Sequence, residues 1–389
     1  MKILWLASWY PNKLSPLNGD FIQRHAGACS LFNDITVIHV VRDKNRKITA
    51  SVKETENHSG QLNEKIIYYH TPSFFSKSLE RFISIRKYKQ LYKEAVNDYV
   101  NNNGIPDLVH LHVTMNAGII ALWIKKKYKI PYVITEHWSG LLKEANDNFF
   151  TKSPWFKSLW EKAFLNAASV SVVSNYLNEN INNIIPGTDA IVIPNVVDTN
   201  LFVPAKEIRN NKEFIFIHIT RMDYQKNPEA VWQAFHLVKQ KKPSFKLIVY
   251  TNETAEIEKL NKQYDLSENL LHKKEVPQTE LVSDIQNADA LILFSRYETF
   301  GCVVAEANAC GVPVIVSDIA VMHELVQEGM NVLFAINDNA SSLADKILAF
   351  MNSGMRFNKE QIAADAAAKF NYQKVGEQFA DWYKQVIKF

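Results

Sequence analysis

The stretch Ser295–Asp318, SRYETFGCVVAEANACGVPVIVSD, decides the fold. The apolar run Asp289–Ser295 leads into it as a strand, Glu298-Thr299-Phe300-Gly301 forms a turn, and a helix begins near Gly301. Val312–Ser317 then supplies the next strand. Strands apolar on both faces and joined through a helix make a parallel βαβ unit. Glycine at the turn lets a ligand approach the backbone, and the free amides of Gly301, Cys302 and Val303 at the helix start form an anion site. Glu298 lies in the loop and Glu306 about one turn inside the helix, so a phosphate bound between them would leave each carboxylate free to accept from neighbouring hydroxyls. The same pattern also fits a plain strand–turn–helix with two solvated glutamates.

Outward from this unit the same rhythm fills the chain. Strand-like runs fall at Lys2–Ser8, Ile35–Val41, Leu108–His112, Tyr132–His137, Ser169–Ser174 and Ile191–Asn195, then at Phe214–Thr220, Lys246–Asn252 and Asn331–Phe334. Helical stretches lie between them at Ser78–Asn101, Met115–Lys127, Asn227–Lys241 and Ser341–Met351. Asn227 reads as an N-cap with Pro228 at the first helical position. Polar Ser51–Asn63 reads as an exposed loop. The class is α/β with parallel sheets. The rhythm breaks once, at Val197–Lys212, which reads as a linker between two doubly wound halves. The expected division is residues 1–198, residues 199–371 and a terminal helix within residues 372–389. Phe379, Trp382, Tyr383, Val386 and Ile387 share one face of that helix, so it is expected to return to the first half.

A second feature lies in the same half as the Glu298–Glu306 stretch. Phe214–Thr220 ends at RMDYQKN, which places Arg221 and Lys226 at a strand's carboxyl end, where such sheets bind ligands. Both cations could reach one diphosphate, Arg221 through its planar fork and Lys226 as a point charge.

Composition excludes several classes. The 389 residues are 47% hydrophobic and 22% charged, an ordinary globular mixture. Three cysteines, none in a CxxC pair, make neither a disulfide framework nor a zinc ribbon and point to a reducing compartment. A net charge of +3 gives no reason to expect a nucleic-acid partner. It conceals an asymmetry, with 23 Lys+Arg against 17 Asp+Glu in residues 1–200 and 21 against 24 thereafter. No apolar run approaches the roughly 20 residues of a membrane helix, and the short apolar start runs into WYPN without a cleavage site, so a cytoplasmic protein is expected. His110 and His112 share a strand face, but no third ligand follows at a fitting spacing, and no metal is expected. The cysteines Cys302 and Cys310 read as small packing residues. Phe74–Val100 interleaves Lys77, Arg81, Arg86, Lys87, Lys89 and Lys93 with apolar residues. That pattern fits either a solvated covering helix or docking on the anionic inner face of a membrane.

Taken in order, SWYPN with Gly19-Asp20-Phe21, PDLVHLH, TEHWSG, IPNVVDTNLFVP, TRMDYQKN and ETFG…E resemble the glycogen-synthase-like glycosyltransferases of family 4. The resemblance implies the GT-B fold, two Rossmann-like domains facing a central cleft, and retaining, metal-independent transfer without a cofactor. It implies a nucleotide-diphosphate-sugar donor (UDP- or GDP-sugar) and a sugar or lipid-linked hydroxyl acceptor, in surface polysaccharide or glycolipid synthesis. By the same resemblance Arg221 and Lys226 hold the diphosphate, Glu298 the sugar hydroxyls and Glu306 the ribose. Phe300, Gly301, Cys302 and Val303 surround the sugar and phosphate. Gly19 and Asp20 sit on the acceptor side, with His137 near the reacting carbon. The chain contains no Asp-x-Asp metal motif. Two departures stand out: Val196 occupies a position usually held by glycine, and Gly19 stands alone where a glycine pair is usual. A catalytically silent nucleotide-sugar binding module, or a GT-B epimerase, are the alternative readings.

Overall fold

The apolar runs of the first half assemble into one eight-stranded sheet. Its strands are β1 (Lys2–Ala7), β2 (Asp34–Arg42), β3 (Val52–Ser59), β4 (Leu62–Tyr69), β5 (Leu108–His112), β6 (Tyr132–Glu136), β7 (Ser169–Val172) and β8 (Ile191–Val192). They lie in the order β3-β4-β2-β1-β5-β6-β7-β8. The second half forms a six-stranded sheet from β9 (Phe214–Ile219), β10 (Phe245–Tyr250), β11 (Leu270–Lys273), β12 (Ala290–Leu293), β13 (Val314–Ser317) and β14 (Val332–Ala335), ordered β11-β10-β9-β12-β13-β14. This computed structural model describes residues 1–49, 51–73, 76–206, 213–352 and 357–387.

In each sheet the strand order reverses once, between β1 and β5 and between β9 and β12. Those are the switch points at which open α/β sheets bind ligands. The loops leaving β1, β5, β9 and β12 carry Gly19, Val113, Arg221 to Lys226 and Glu298 respectively. The topology therefore delivers most of the sequence-derived site residues to the carboxyl edges of the two sheets.

Several expectations need correction. Ser51–Asn63 is not a loop: β3 pairs antiparallel with β4 around Gly60, whose φ of 58° suits glycine. The segment is polar because β3 is an edge strand exposed along most of its length. All other strand pairs among the described residues are parallel. Strands β4 and β11 were not expected at all, and β8 has only two residues. Asn227 occupies the N-cap position in a left-handed conformation, but its side chain donates to Asp338 instead of capping the helix. The expected linker is partly core, since Val197 and Phe202 are buried, and its residues 207–212 lie outside the described residues. Val196 is also fully buried, which fits an apolar residue in place of glycine.

The basic stretch becomes the helix Lys77–Asn103; residues 74–75 of that stretch lie outside the described residues. The last helix, Tyr372–Ile387, packs on the helix Asp20–Ser30, as its aromatic face requires; residues 388–389 lie outside the described residues. A Cβ at Gly376 would collide with the Ala28 carbonyl, so glycine sets how closely the two helices approach.

Candidate active site

At the carboxyl edge of the second sheet, Gly301 caps the helix Cys302–Ala309 with φ 97°. That positive φ is what favours glycine there; a Cβ would also lie 2.8 Å from Met322 Cε, the mobile end of a flexible side chain. Glu298 is buried in the preceding loop. It accepts from Lys226 Nζ at 2.5 Å, Ser295 Oγ at 2.8 Å and Gln225 Nε2 at 3.1 Å. These contacts fix the carboxylate and lysine as one unit. Arg221 stands apart: its side chain is 71% exposed and lies 3.7 Å from Asp223. The structure thus brings Lys226 to Glu298 and leaves the other expected cation in solvent. Phe300 is buried edge-on to Phe370, and Val303 packs on the core. The Cys302 thiol, pushed up to about 12 by burial, accepts from Asn195 at 3.4 Å.

Glu306 is not solvated. It is 3% exposed and accepts from Arg24 Nη1 at 2.7 Å and Gln278 Nε2 at 3.0 Å. Arg24 comes from the helix Asp20–Ser30 of the first half, where its Nη2 also donates to Asp20 at 3.1 Å. Burial raises the Glu306 carboxyl, with the guanidinium opposing it. For Arg24, burial favours the neutral form, but Glu306 and Asp20 outweigh it and hold the proton more firmly. Gly19 begins that helix with φ 73° and is pressed against Trp9 and Tyr10; an added Cβ would lie 2.8 Å from the Trp9 carbonyl carbon.

On the first sheet His137 follows β6 and is 5% exposed. The buried Glu136 carboxylate holds its loop by accepting from the amides of Thr114, His137 and Trp138. The His137 ring lies 4.9 Å from Phe21 and 5.4 Å from His25 between centroids, and its Nε2 is 3.4 Å from His112 Nδ1. The strand pair is divided between two settings. One ring nitrogen each from His25, His112 and His137 lies within 4.8 Å of the others, a set that could hold a metal ion. His110 is not part of it: its nitrogens meet Tyr383 Oη at 2.6 Å and Thr135 Oγ1 at 2.7 Å. Burial holds all four imidazoles below their usual range, His25 at about 4.

Sequence reading missed Arg24, His25, Ser295, Gln225 and Gln278. Arg24 four residues after Asp20 signals nothing beyond a helical ion pair. Its partner Glu306 is 282 residues away.

Residues 202–370 match the family model described as glycosyl transferases group 1, and residues 48–201 match glycosyltransferase family 4. An uncharacterised glycosyltransferase of Methanocaldococcus jannaschii is 29% identical over 76% of this chain and 80% of its own. The N,N′-diacetylbacillosaminyl-diphospho-undecaprenol α-1,3-N-acetylgalactosaminyltransferase of Campylobacter jejuni is 24% identical over 94% of this chain and 98% of its own. Among solved structures, sucrose-phosphate synthase of Thermosynechococcus elongatus superposes with a TM-score of 0.80 at 19% identity, over the full length of both chains. Anabaena HepE, solved with UDP and glucose, gives a TM-score of 0.71 at 16% identity over 99% of each chain. The two family models adjoin at residues 201 and 202 and together take in both sheets beyond β2. The chain is a glycosyltransferase of the family 4 type, built on the GT-B fold.

Proposed function

We propose that the protein moves a sugar from a nucleoside-diphosphate-sugar donor to a hydroxyl acceptor, with retention at the anomeric carbon and without a metal. The observation that carries this reading is the Glu298–Lys226 unit beside the Gly301 helix start, with Glu306 on the same helix. The helix-start amides and Lys226 would stabilise the negative charge growing on the leaving diphosphate. Arg221 would swing from solvent onto the same group. Glu298 would hold sugar hydroxyls and keep Lys226 aimed, and Glu306 would take the ribose. His137 and Gly19 would close the site from the first half. In a front-face displacement the leaving phosphate oxygen accepts the acceptor's proton as the new glycosidic bond forms, so no protein nucleophile is needed.

Residues 1–198 would bind the acceptor, residues 199–371 the donor, and the terminal helix would hold them together. HepE with UDP bound supports UDP as the donor's nucleotide, with GDP the other candidate. The Campylobacter relative, whose name specifies a diphospho-undecaprenol acceptor, supports a lipid-linked acceptor in surface glycan synthesis. Among the described residues no helix is long and apolar enough to cross a membrane. A cavity of about 570 Å³ at the carboxyl edge of the first sheet, lined by Arg42, Lys77, Arg81, Met115 and Trp155, offers cations and aromatic surface to such an acceptor. We place the enzyme in the cytoplasm, with Leu79 and Phe82 among the exposed apolar residues available for the membrane face.

Donor turnover tests the assignment directly. Wild-type protein incubated with UDP- or GDP-sugars should release nucleotide slowly without acceptor, and Glu298→Ala should lower that rate by about 100-fold or more. Full turnover by the variant would remove Glu298 from the site.

A further inference from the structure

We propose that Arg24 is a donor-site residue supplied from across the cleft. It holds Glu306 in place and turns Nε, its one nitrogen without an acceptor among the described residues, onto the ribose–diphosphate segment of the nucleotide. The inference rests on the reading of Glu306 as the ribose ligand.

Three observations support it. Arg24 and Glu306 come from opposite halves of the molecule, yet form an ion pair of 2.7 Å with both side chains buried. Buried ion pairs are poor stabilisers compared with packed apolar residues, because both charges must leave water. The pair is therefore better explained by a ligand it serves than by stability. Second, the guanidinium is incompletely used. Nη1 donates to Glu306 and Nη2 to Asp20, while Nε is buried and donates to nothing among the described residues. A buried N–H without an acceptor is costly, and one on a cation suits an anionic or strongly polar oxygen. Third, the position is right. Arg24 lies one turn beyond Gly19 in its helix, and its partner Glu306 lies one turn inside the helix that starts at Gly301. Gln278 completes the arrangement by donating to the same Glu306 oxygen, Oε1.

The arrangement does more than add a contact. A nucleotide that engages Glu306 also engages the first half through Arg24, so donor binding and closure of the cleft become one event. The competing possibility is a plug, in which Arg24 occupies the carboxylate that the ribose needs and must leave before the donor binds. The two make opposite predictions for removal of the guanidinium.

UDP and GDP are titrated calorimetrically onto the full chain, with wild type, Arg24→Gln, Arg24→Lys and Lys226→Ala compared and the fold of each checked by thermal unfolding. Arg24→Gln should weaken the nucleotide that wild type binds by about tenfold or more, with Arg24→Lys intermediate because it keeps the charge without the fork. The loss should be smaller for the 2′,3′-dideoxy nucleotide, which has no ribose hydroxyls for Glu306; a purely structural defect would weaken both nucleotides equally. If Arg24→Gln fails to fold, the same comparison on Arg24→Lys decides. Unchanged or tighter binding by the Arg24 variants, alongside weakened binding by Lys226→Ala, overturns the inference and leaves the donor site standing. No binding by wild type, or none lost in Lys226→Ala, overturns the donor-site reading and this inference with it.

Discussion

Glu298 and His137 show how much a residue's meaning depends on what surrounds it. Glu298, Lys226 and Gly301 are legible in sequence because the chemistry sits within short motifs: a glycine that must adopt positive φ, a carboxylate three residues before it and a lysine at a strand end. Arg24 and His25 are not legible, because their roles come from Glu306 and Pro194, which only the fold brings near. The buried histidines also set a pH response. Burial lowers His25, His39 and His218 to about 4 from an unfolded value of 6.5. The unfolded chain therefore binds more protons than the folded one between those values. Their contribution is fully present above about pH 6.5 and is lost as pH falls towards 4, at up to about 1.4 kcal/mol per pH unit for each group. Melting temperature should therefore fall steadily between pH 7 and pH 4.5, and a flat profile over that range would contradict the burial of these imidazoles in neutral form.

Among the elements, the parallel strands were the easiest to read, since a strand covered on both faces must be apolar throughout. Strand β3 escaped detection for the converse reason: an exposed edge strand has no apolar pattern to betray it, and its register comes from β4. Strand β11, also at an edge, was missed in the same way. The terminal helix lay between these cases. Its aromatic face announced a partner, but the partner's identity depended on Gly376 and on one hydroxyl. Tyr383 Oη meets His110 Nδ1 at 2.6 Å in a fully buried setting, with Cys29 Sγ at 3.7 Å. Tyr383→Phe leaves that imidazole nitrogen unpaired and should cost about 1–3 kcal/mol in urea unfolding. A loss below a few tenths of a kcal/mol would mean that the helix is held by packing alone.

Across the whole molecule, ties between the halves gather around the proposed donor site. Ser174 Oγ donates to the Thr299 carbonyl at 2.7 Å, and Glu324 accepts from the backbone amides of Asn175 and Tyr176, capping a helix of the other half. A nucleotide that binds among these ties favours the folded, closed form. At a concentration of 100 times its Kd it should add about 2.7 kcal/mol to stability. UDP and GDP can be compared by thermal shift, and a shift from neither would argue against a nucleotide site.

The terminal helix has a further consequence for how the chain is made. Trp5, Cys29 and His110 emerge well before the Phe379 and Tyr383 that cover them. The 273 residues between His110 and Tyr383 take roughly 14–55 s to translate at the usual 5–20 residues per second. For that interval the first half carries an uncovered aromatic patch. Newly made protein should therefore depend on protection at that patch until the helix Tyr372–Ile387 arrives to close it.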